Sequence, residues 1–373
     1  MAGIYIHIPF CKKACHYCNF HFSTSLGQKE EMVKAIIQEL HQQKYYLGNE
    51  TVTSIYFGGG TPSILSTSEI QSIIETCYKL YSLGSDIELT LEANPDDLNL
   101  EKTKELSALG INRLSIGIQS FHEEDIQWMN RSHNADQSFQ SIENSYASGI
   151  ENFSIDLIFG SPTTSNDRWI NNLELAHSFD IKHLSCYSLT VEEDTALSHL
   201  IKNKKSQPVD DLRLAEQYQL TMDHLTKYGY DHYEISNYAL PGYQAYHNTN
   251  YWKRIAYLGI GPSAHSFNGR ERSWNIANNS QYIKLINDHS SIRNTELLNE
   301  DDHYNEYIMT SLRTRWGCRL NEPIFVNPKY KSHFLNEVQM FIHSGDIIHK
   351  EDSYVLNKSS WVISDSIIAE LFI

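Results

Sequence analysis

The sequence predicts an α/β protein: an open, partial (β/α)6 barrel, TIM-like, followed by a small helical, winged-helix-like domain. Three observations predict it. Short β-branched runs alternate six times with amphipathic segments over residues 3–189, a pattern that calls for parallel strands joined by right-handed crossovers. Residues of chemical interest fall where each of those strands ends, the rim that carries the active site in barrels of this kind. Beyond residue 295 the pattern changes to helices with one short hairpin. Six units are two short of a closed eight-fold barrel.

The elements can be taken in order. Gly3–Ile8 is the first strand, and it passes through a turn at Pro9 into Cys11-Lys-Lys-Ala-Cys15-His-Tyr-Cys18. An amphipathic helix, Gln28–Leu47, leads to the strand 53–57, which ends in Gly58-Gly-Gly-Thr-Pro62. The helix Ser66–Leu83 opens with Ser66 and Glu69 at capping-box spacing. Strand 86–92 ends in Glu92-Ala-Asn-Pro95, and Asn99 caps the helix Leu100–Leu109. Strand 113–118 ends in Gln119-Ser-Phe121, ahead of the helix Asp136–Ser148. Strand 152–158 carries Asp156, with Gly160 and Pro162 after it; the helix Asn166–Phe179 then leads to the strand 183–189, which carries Tyr187 and Ser188. Asp211–Tyr228 reads as one long amphipathic helix and Tyr230–Ser236 as a further strand beside the barrel. The resulting division is a barrel over 1–240, a connecting segment over 241–295 and a C-terminal domain over 296–373. That last domain comprises helices Asp302–Arg315, Phe334–Ser344 and Ile363–Phe372, with a hairpin at Ile347–His349 and Tyr354–Leu356; Gly317 and Gly345 serve as helix stops.

Composition excludes several functions. A net charge of −16 argues against nucleic acid as the main partner, because phosphate binding needs a basic face. No run approaches the roughly eighteen apolar residues of a membrane span, which leaves peripheral membrane contact open. The chain enters a strand at once, without a signal peptide. Its six cysteines, three of them in one loop, fit a reducing cytosol better than a disulfide scaffold. The expectation is a cytoplasmic protein, with Cys77, Cys186 and Cys318 unpaired.

The loop Cys11–Cys18 holds three thiols within eight residues. Thiolates so close are cramped for disulfides but suit soft metals. A zinc site is one reading, with His16 or His21 as the missing ligand, although the spacing is not that of paired zinc ligands. An iron–sulfur cluster normally takes four cysteines, so three imply a cubane with one iron left open to a substrate or cofactor.

The spacing, three residues and then two with the aromatic Tyr17 before the last cysteine, resembles the signature of the radical S-adenosylmethionine (SAM) family. The resemblance implies that Cys11, Cys15 and Cys18 hold a [4Fe–4S] cluster whose fourth iron is chelated by SAM. It also implies that the reduced cluster is able to cleave the sulfonium to methionine and a 5′-deoxyadenosyl radical. The context Tyr5-Ile-His-Ile-Pro-Phe-Cys11 is similar to the branch containing the oxygen-independent coproporphyrinogen III oxidases. Carried over residue by residue, Gly59, Gly60 and Thr61 contact the amino-acid moiety of SAM, Glu92 its ribose, and Tyr5 and Tyr17 join the SAM site. Gln119, Arg131 and Asp156 match positions that contact a second SAM in the oxidases. Read from residue type alone, Gly58–Gly60 is equally a tight turn and each of the others a satisfied polar group at a strand end.

Further on, Tyr246-His-Asn-Thr-Asn-Tyr-Trp252 packs a histidine, two amides and two large aromatics besides Tyr246 into a short span. By residue type it is an aromatic-rich loop with His247 as a hydrogen-bonded core residue. It also resembles the HNxxYW motif of the HemW-type haem chaperones, the non-oxidase branch of the same family. Imidazole is a standard axial ligand of haem iron and aromatic walls suit a porphyrin. The resemblance therefore makes His247 the haem ligand, with Tyr251 and Trp252 lining the pocket and His265 as a second ligand candidate. Two departures from the oxidases point the same way: Phe20 stands where they have a further cysteine, and the first cysteine is already residue 11. Asn19 also departs, in place of an expected aspartate. The implied function is a haem chaperone that binds haem, covalently or by coordination, and delivers it to haem-requiring respiratory proteins. A flavodoxin-like reductant and a dimer are compatible with it. The rival is an oxygen-independent coproporphyrinogen III oxidase or another radical SAM oxidoreductase.

Overall fold

The structure, a computed structural model, describes residues 1–373. Its inner strands are runs of buried apolar residues, as strands covered on both faces must be; Ile4, Ile6 and Ile8 of the first and Leu89 and Leu91 of the third are at most marginally accessible. In chain order come β1 (Ala2–Ile8), α1 (Lys29–Gln42), β2 (Val52–Gly59), α2 (Thr67–Leu80), β3 (Leu83–Ala93) and α3 (Leu100–Ala108). They are followed by β4 (Arg113–Gln119), α4 (Glu123–Trp128), α5 (Ala135–Ala147), β5 (Phe153–Phe159), α6 (Asn166–Ser178) and β6 (His183–Ser188). These six strands pair in sequence order, all parallel.

The helices start where their caps dictate. At α2 the Ser66 hydroxyl accepts the Glu69 N–H at 3.2 Å and the Glu69 carboxylate accepts the Ser66 N–H at 2.7 Å. Its inner face buries Ile70, Ile73 and Ile74, each contributing about 1.5–3 kcal/mol. At α3 the Asn99 side chain accepts the Lys102 N–H at 2.9 Å.

After α7 (Ala196–Lys202) and α8 (Asp211–Lys227), the stretch expected as one strand is a tight antiparallel pair, β7 (Asp231–Glu234) and β8 (Asn237–Ala239). β8 pairs antiparallel with β6, so the pair finishes that edge of the sheet. Then follow α9 (Tyr246–Trp252), β9 (Ala256–Ile260), β10 (His265–Phe267), β11 (Glu271–Asn275), α10 (Asn279–Asn287) and β12 (Arg293–Leu297). Residues 241–295, read from sequence as a connecting segment, add strands to the sheet itself as well as α9 and α10. β9 is a seventh parallel strand, hydrogen-bonded to β1 on the side away from β2, and β10–β12 extend the sheet antiparallel to give twelve strands. The strand pattern is masked by Gly259, and that glycine is obligatory: a Cβ there would lie 2.0 Å from the His265 carbonyl oxygen.

The C-terminal region comprises α11 (Glu300–Leu312), β13 (Cys318–Arg319), α12 (Pro328–Ser344), β14 (Ile347–Lys350), β15 (Ser353–Leu356) and α13 (Ser364–Glu370), with a small antiparallel sheet ordered β13-β15-β14. α12 ends on Gly345 in the left-handed conformation (φ 83°), whereas α11 stops at Leu312, short of Gly317. The region does not stand apart. Ile235 and Arg315 donate backbone hydrogen bonds across to Arg313 and Tyr233, and one continuous apolar cluster includes Ile4 and Leu91 of the barrel with Tyr304 and Phe334.

Candidate functional site

The cysteine loop leaves β1 at the C-terminal edge of the sheet and is shaped by backbone contacts. The Cys11 N–H donates to the Ser23 carbonyl at 3.0 Å and the His16 N–H to the Met129 carbonyl at 3.1 Å. Asn130 reaches the Ala14 carbonyl at 2.7 Å. His16 is engaged by the Trp128 carbonyl at 2.7 Å and His21 by Asn279 at 2.8 Å, so both imidazoles have other partners. The three sulfurs line a cavity of about 370 Å³ together with Tyr17, the Gly59–Thr61 turn, Glu92, Gln119, Arg131 and Asp156. Cys11 is buried and Cys15 and Cys18 are half-buried, all three unpaired. Burial pushes the Cys11 thiol up to about 12, against a lowering hydrogen bond from the Thr61 hydroxyl at 3.4 Å; Cys18 is also raised by burial.

Arg131 is the centre of this pocket. One guanidinium nitrogen donates to Cys15 Sγ at 3.3 Å and the Tyr17 hydroxyl at 3.4 Å; another donates to Asn94 at 2.5 Å and the Gly117 carbonyl at 2.7 Å. Its Nε is buried without a partner, as is Oε1 of Gln119. Gln119 ends β4 in the left-handed region (φ 68°), a conformation costing a non-glycine residue roughly 1–2 kcal/mol. Strain and unpartnered polar atoms in one cavity fit a polar ligand held by its lining.

The glycine turn closes the opposite wall. Gly59 adopts φ 104°, and a Cβ there would sit 2.5 Å from the His7 ring; a Cβ on Gly60 would sit 2.6 Å from the Phe10 carbonyl oxygen. The Gly59 N–H donates to Glu92 at 3.1 Å, and the Tyr56 hydroxyl donates to the other carboxylate oxygen at 2.8 Å. Burial lifts the Glu92 carboxyl to about 8 despite those two bonds. Asp156, bonded by the Ser115 hydroxyl at 3.3 Å, is lifted by burial to about 6. Glu92, Asp156, Arg131 and the Gly59–Thr61 turn thus line one polar cavity. Tyr5 is not in this lining: its hydroxyl pairs with His7 Nδ1 at 3.3 Å and its ring stacks on Tyr56 at 6.0 Å. His7, Tyr56, Asn94 and Ser115 were not singled out from the sequence; only their places at or near strand ends could have marked them.

The aromatic segment forms the short helix α9. Its two leading amides, of Tyr246 and His247, donate to the buried Glu88 carboxylate, each at 3.0 Å, and start α9. The His247 ring is only 2 % exposed. Its Nδ1 pairs with the Ser54 hydroxyl at 2.9 Å and its Nε2 with the Tyr251 hydroxyl at 2.9 Å, while Tyr56 stacks on it at 5.1 Å. Burial lowers its pKa to about 3, so the ring is neutral with both nitrogens engaged. In this structure both ring nitrogens of His247 are hydrogen-bonded within the core, as the reading by residue type expected. His265 stacks on Trp274 at 6.1 Å and lines neither cavity. Tyr251 and Trp252 do line a second cavity, of about 410 Å³, and Tyr187 lines both cavities.

Fold and three-cysteine pocket together define a radical SAM protein, and the profile of the radical SAM superfamily matches residues 5–176. Within it the chain belongs to the HemW family. It is 34% identical to the haem chaperone HemW of Bacillus subtilis over 320 residues, covering 85% of this chain and 84% of the relative. It is 34% identical to Escherichia coli HemW over 265 residues, 70% and 69% of the two chains. The mouse mitochondrial radical S-adenosyl methionine domain-containing protein 1 is 35% identical over 267 residues, 71% of this chain and 60% of the relative. Among solved structures, the Escherichia coli coproporphyrinogen III oxidase HemN superposes with a TM-score of 0.86 at 22% identity, over 100% of this chain and 90% of that one, which fixes the fold. Membership of the radical SAM family implies a [4Fe–4S] cluster and SAM. No helix is long and apolar enough to cross a membrane.

Proposed function

We propose that the protein binds haem and hands it to haem-requiring respiratory proteins in the cytoplasm or at the membrane surface. In this reading the barrel also holds a [4Fe–4S] cluster on Cys11, Cys15 and Cys18 and SAM beside it. The observation that carries it is the shared wall at Tyr187: the cluster pocket and the cavity lined by Tyr251 and Trp252 are neighbours inside one barrel. The haem-chaperone names of the relatives support the same reading.

When bound, a cluster with an open iron supplies an electron and a coordination position. The chain's own residues do the rest. Arg131, tied to Asn94 and Gly117, holds a positive charge beside Cys15 and the ligand space. Gly59 and Gly60 let backbone amides approach the ligand, and Glu92 presents acceptors to hydroxyls while Tyr56 fixes its orientation. Gln119 and Asp156 face the same space. Tyr17 backs Arg131. Tyr5 acts one layer behind, through His7 and Tyr56. For haem, Tyr251 and Trp252 supply aromatic wall, and His247 positions the Tyr251 hydroxyl.

The test is anaerobic reconstitution, loading with haem and transfer to a haem-free respiratory acceptor, followed by the acceptor's absorbance. Stoichiometric transfer supports the reading. Incubation of the same protein with coproporphyrinogen III, SAM and reductant should yield no protoporphyrinogen; its accumulation would place the chain with the oxidases instead.

A further inference from the structure

The aromatic cavity carries two cations that no motif announces. Arg254 and Arg272 both line it, in a chain whose net charge is −16. They flank a single ring, with guanidinium carbons 6.0 and 5.4 Å from the centre of Phe267. Both approach the same carboxylate, Glu306: Arg272 bonds to it, and Arg254 Nε stands 3.8 Å away. Two guanidiniums share that one carboxylate, and the acidic group in the cavity lining itself is Glu234, whose carboxyl burial raises to about 7. Arg254 also donates to His303 at 2.9 Å, while its Nε is buried without a hydrogen-bond partner.

Arg254 stands in the left-handed turn just beyond the end of α9 (φ 54°). In the same cavity wall, Glu234 and Asn237, 1 % and 4 % exposed, each keep a side-chain oxygen without a partner. So raised, the Glu234 carboxyl is able to keep its proton, and a carboxyl that keeps its proton donates to a ligand carboxylate where an ionised one would repel it.

We infer that this cavity seats a planar dicarboxylic macrocycle, haem on the reading above, with its propionates held by Arg254 and Arg272 and its ring against the aromatic wall. Arginine forks match carboxylates in pairs, and Tyr251, Trp252 and Tyr257 offer flat apolar surface to the ring. The volume of about 410 Å³ lies toward the lower end for ligand cavities, so the macrocycle enters by its propionate edge and leaves the far edge accessible. The inference rests on the haem-binding reading, but it makes a claim that reading does not: the carboxylates are recognised.

Absorbance titrations of the cluster-loaded full-length protein with haem and with haem dimethyl ester, whose propionates are neutral, test it. The unaltered protein should bind haem about ten- to a hundredfold more tightly than the ester. Arg254→Gln with Arg272→Gln should weaken haem to the level of the ester and leave the ester unchanged. Trp252→Leu should weaken both alike. Equal affinity of the unaltered protein for haem and ester overturns the inference and leaves haem binding standing; binding of neither overturns both. The comparison on unaltered protein needs no variant, so it holds even if Glu306, stripped of its partners, destabilises the double substitution.

Discussion

The cluster pocket and the aromatic cavity are built in opposite ways. The pocket draws its thiols from one eight-residue loop and its other groups from the ends of consecutive strands, and it leaves polar atoms of Gln119 and Arg131 unpartnered. The aromatic region brings together residues far apart in the chain, and its histidine is fully engaged by Ser54 and Tyr251. One is a local motif set on strand ends. The other is a packed assembly in which the conspicuous residue is structural and the groups facing open space are its neighbours.

The largest effect is expected at the cysteine loop. Replacing Cys11, Cys15 and Cys18 with alanine should abolish iron and sulfide binding and leave the far-ultraviolet circular dichroism unchanged, because Ser23, Met129 and Trp128 hold the loop. Retained iron, or an unfolded variant, would mean that the loop is not organised as described. On the other side, His247→Ala removes a buried ring and leaves Ser54 and the Tyr251 hydroxyl without their partner. A loss of about 2–4 kcal/mol is expected, measured by denaturant unfolding. A stability unchanged by that substitution contradicts the structural role.

The difference in construction also decides what was legible in the sequence. Six strand ends carrying Cys11, Gly59, Glu92, Gln119, Asp156 and Tyr187 were readable because a strand and its terminal residues are contiguous. Arg131 was readable only through resemblance, and its place at the centre of the pocket came from α4 turning it back onto Cys15. β9 was missed because Gly259 interrupts its apolar pattern, for a clash 2.0 Å away that no local reading reveals. The engagement of His247 depends on Glu88 and Ser54, 159 and 193 residues away in sequence. Contacts of that range leave no periodic signature.

Two smaller effects sharpen the contrast within the pocket. Gly60→Ala would press a Cβ against Phe10 and Ile8 backbone at 2.6–2.8 Å, for a loss of about 1–3 kcal/mol and reduced cluster content after reconstitution. Burial lifts the Glu92 carboxyl to about 8, well above the ordinary carboxylate range near 4.5. The raised value means that stability associated with its protonation is fully present below about 4.5 and is lost as pH rises through about 8. Glu92→Gln should therefore melt a few degrees above the unaltered protein at pH 8.5, with the gap closing toward pH 5. A gap that widens toward low pH would reverse the sign and contradict a buried, ligand-free carboxyl.

The central claim is that one barrel holds two adjoining but separable sites, and a single titration addresses it. Haem is added to the variant lacking Cys11, Cys15 and Cys18, and its affinity is compared with that of the unaltered protein. The same affinity, within a factor of about two, is expected, since Tyr251, Trp252 and the walls around them do not depend on the thiols. Loss of haem binding together with the cluster would show that haem sits on the cysteine loop, and the two-site description would fall.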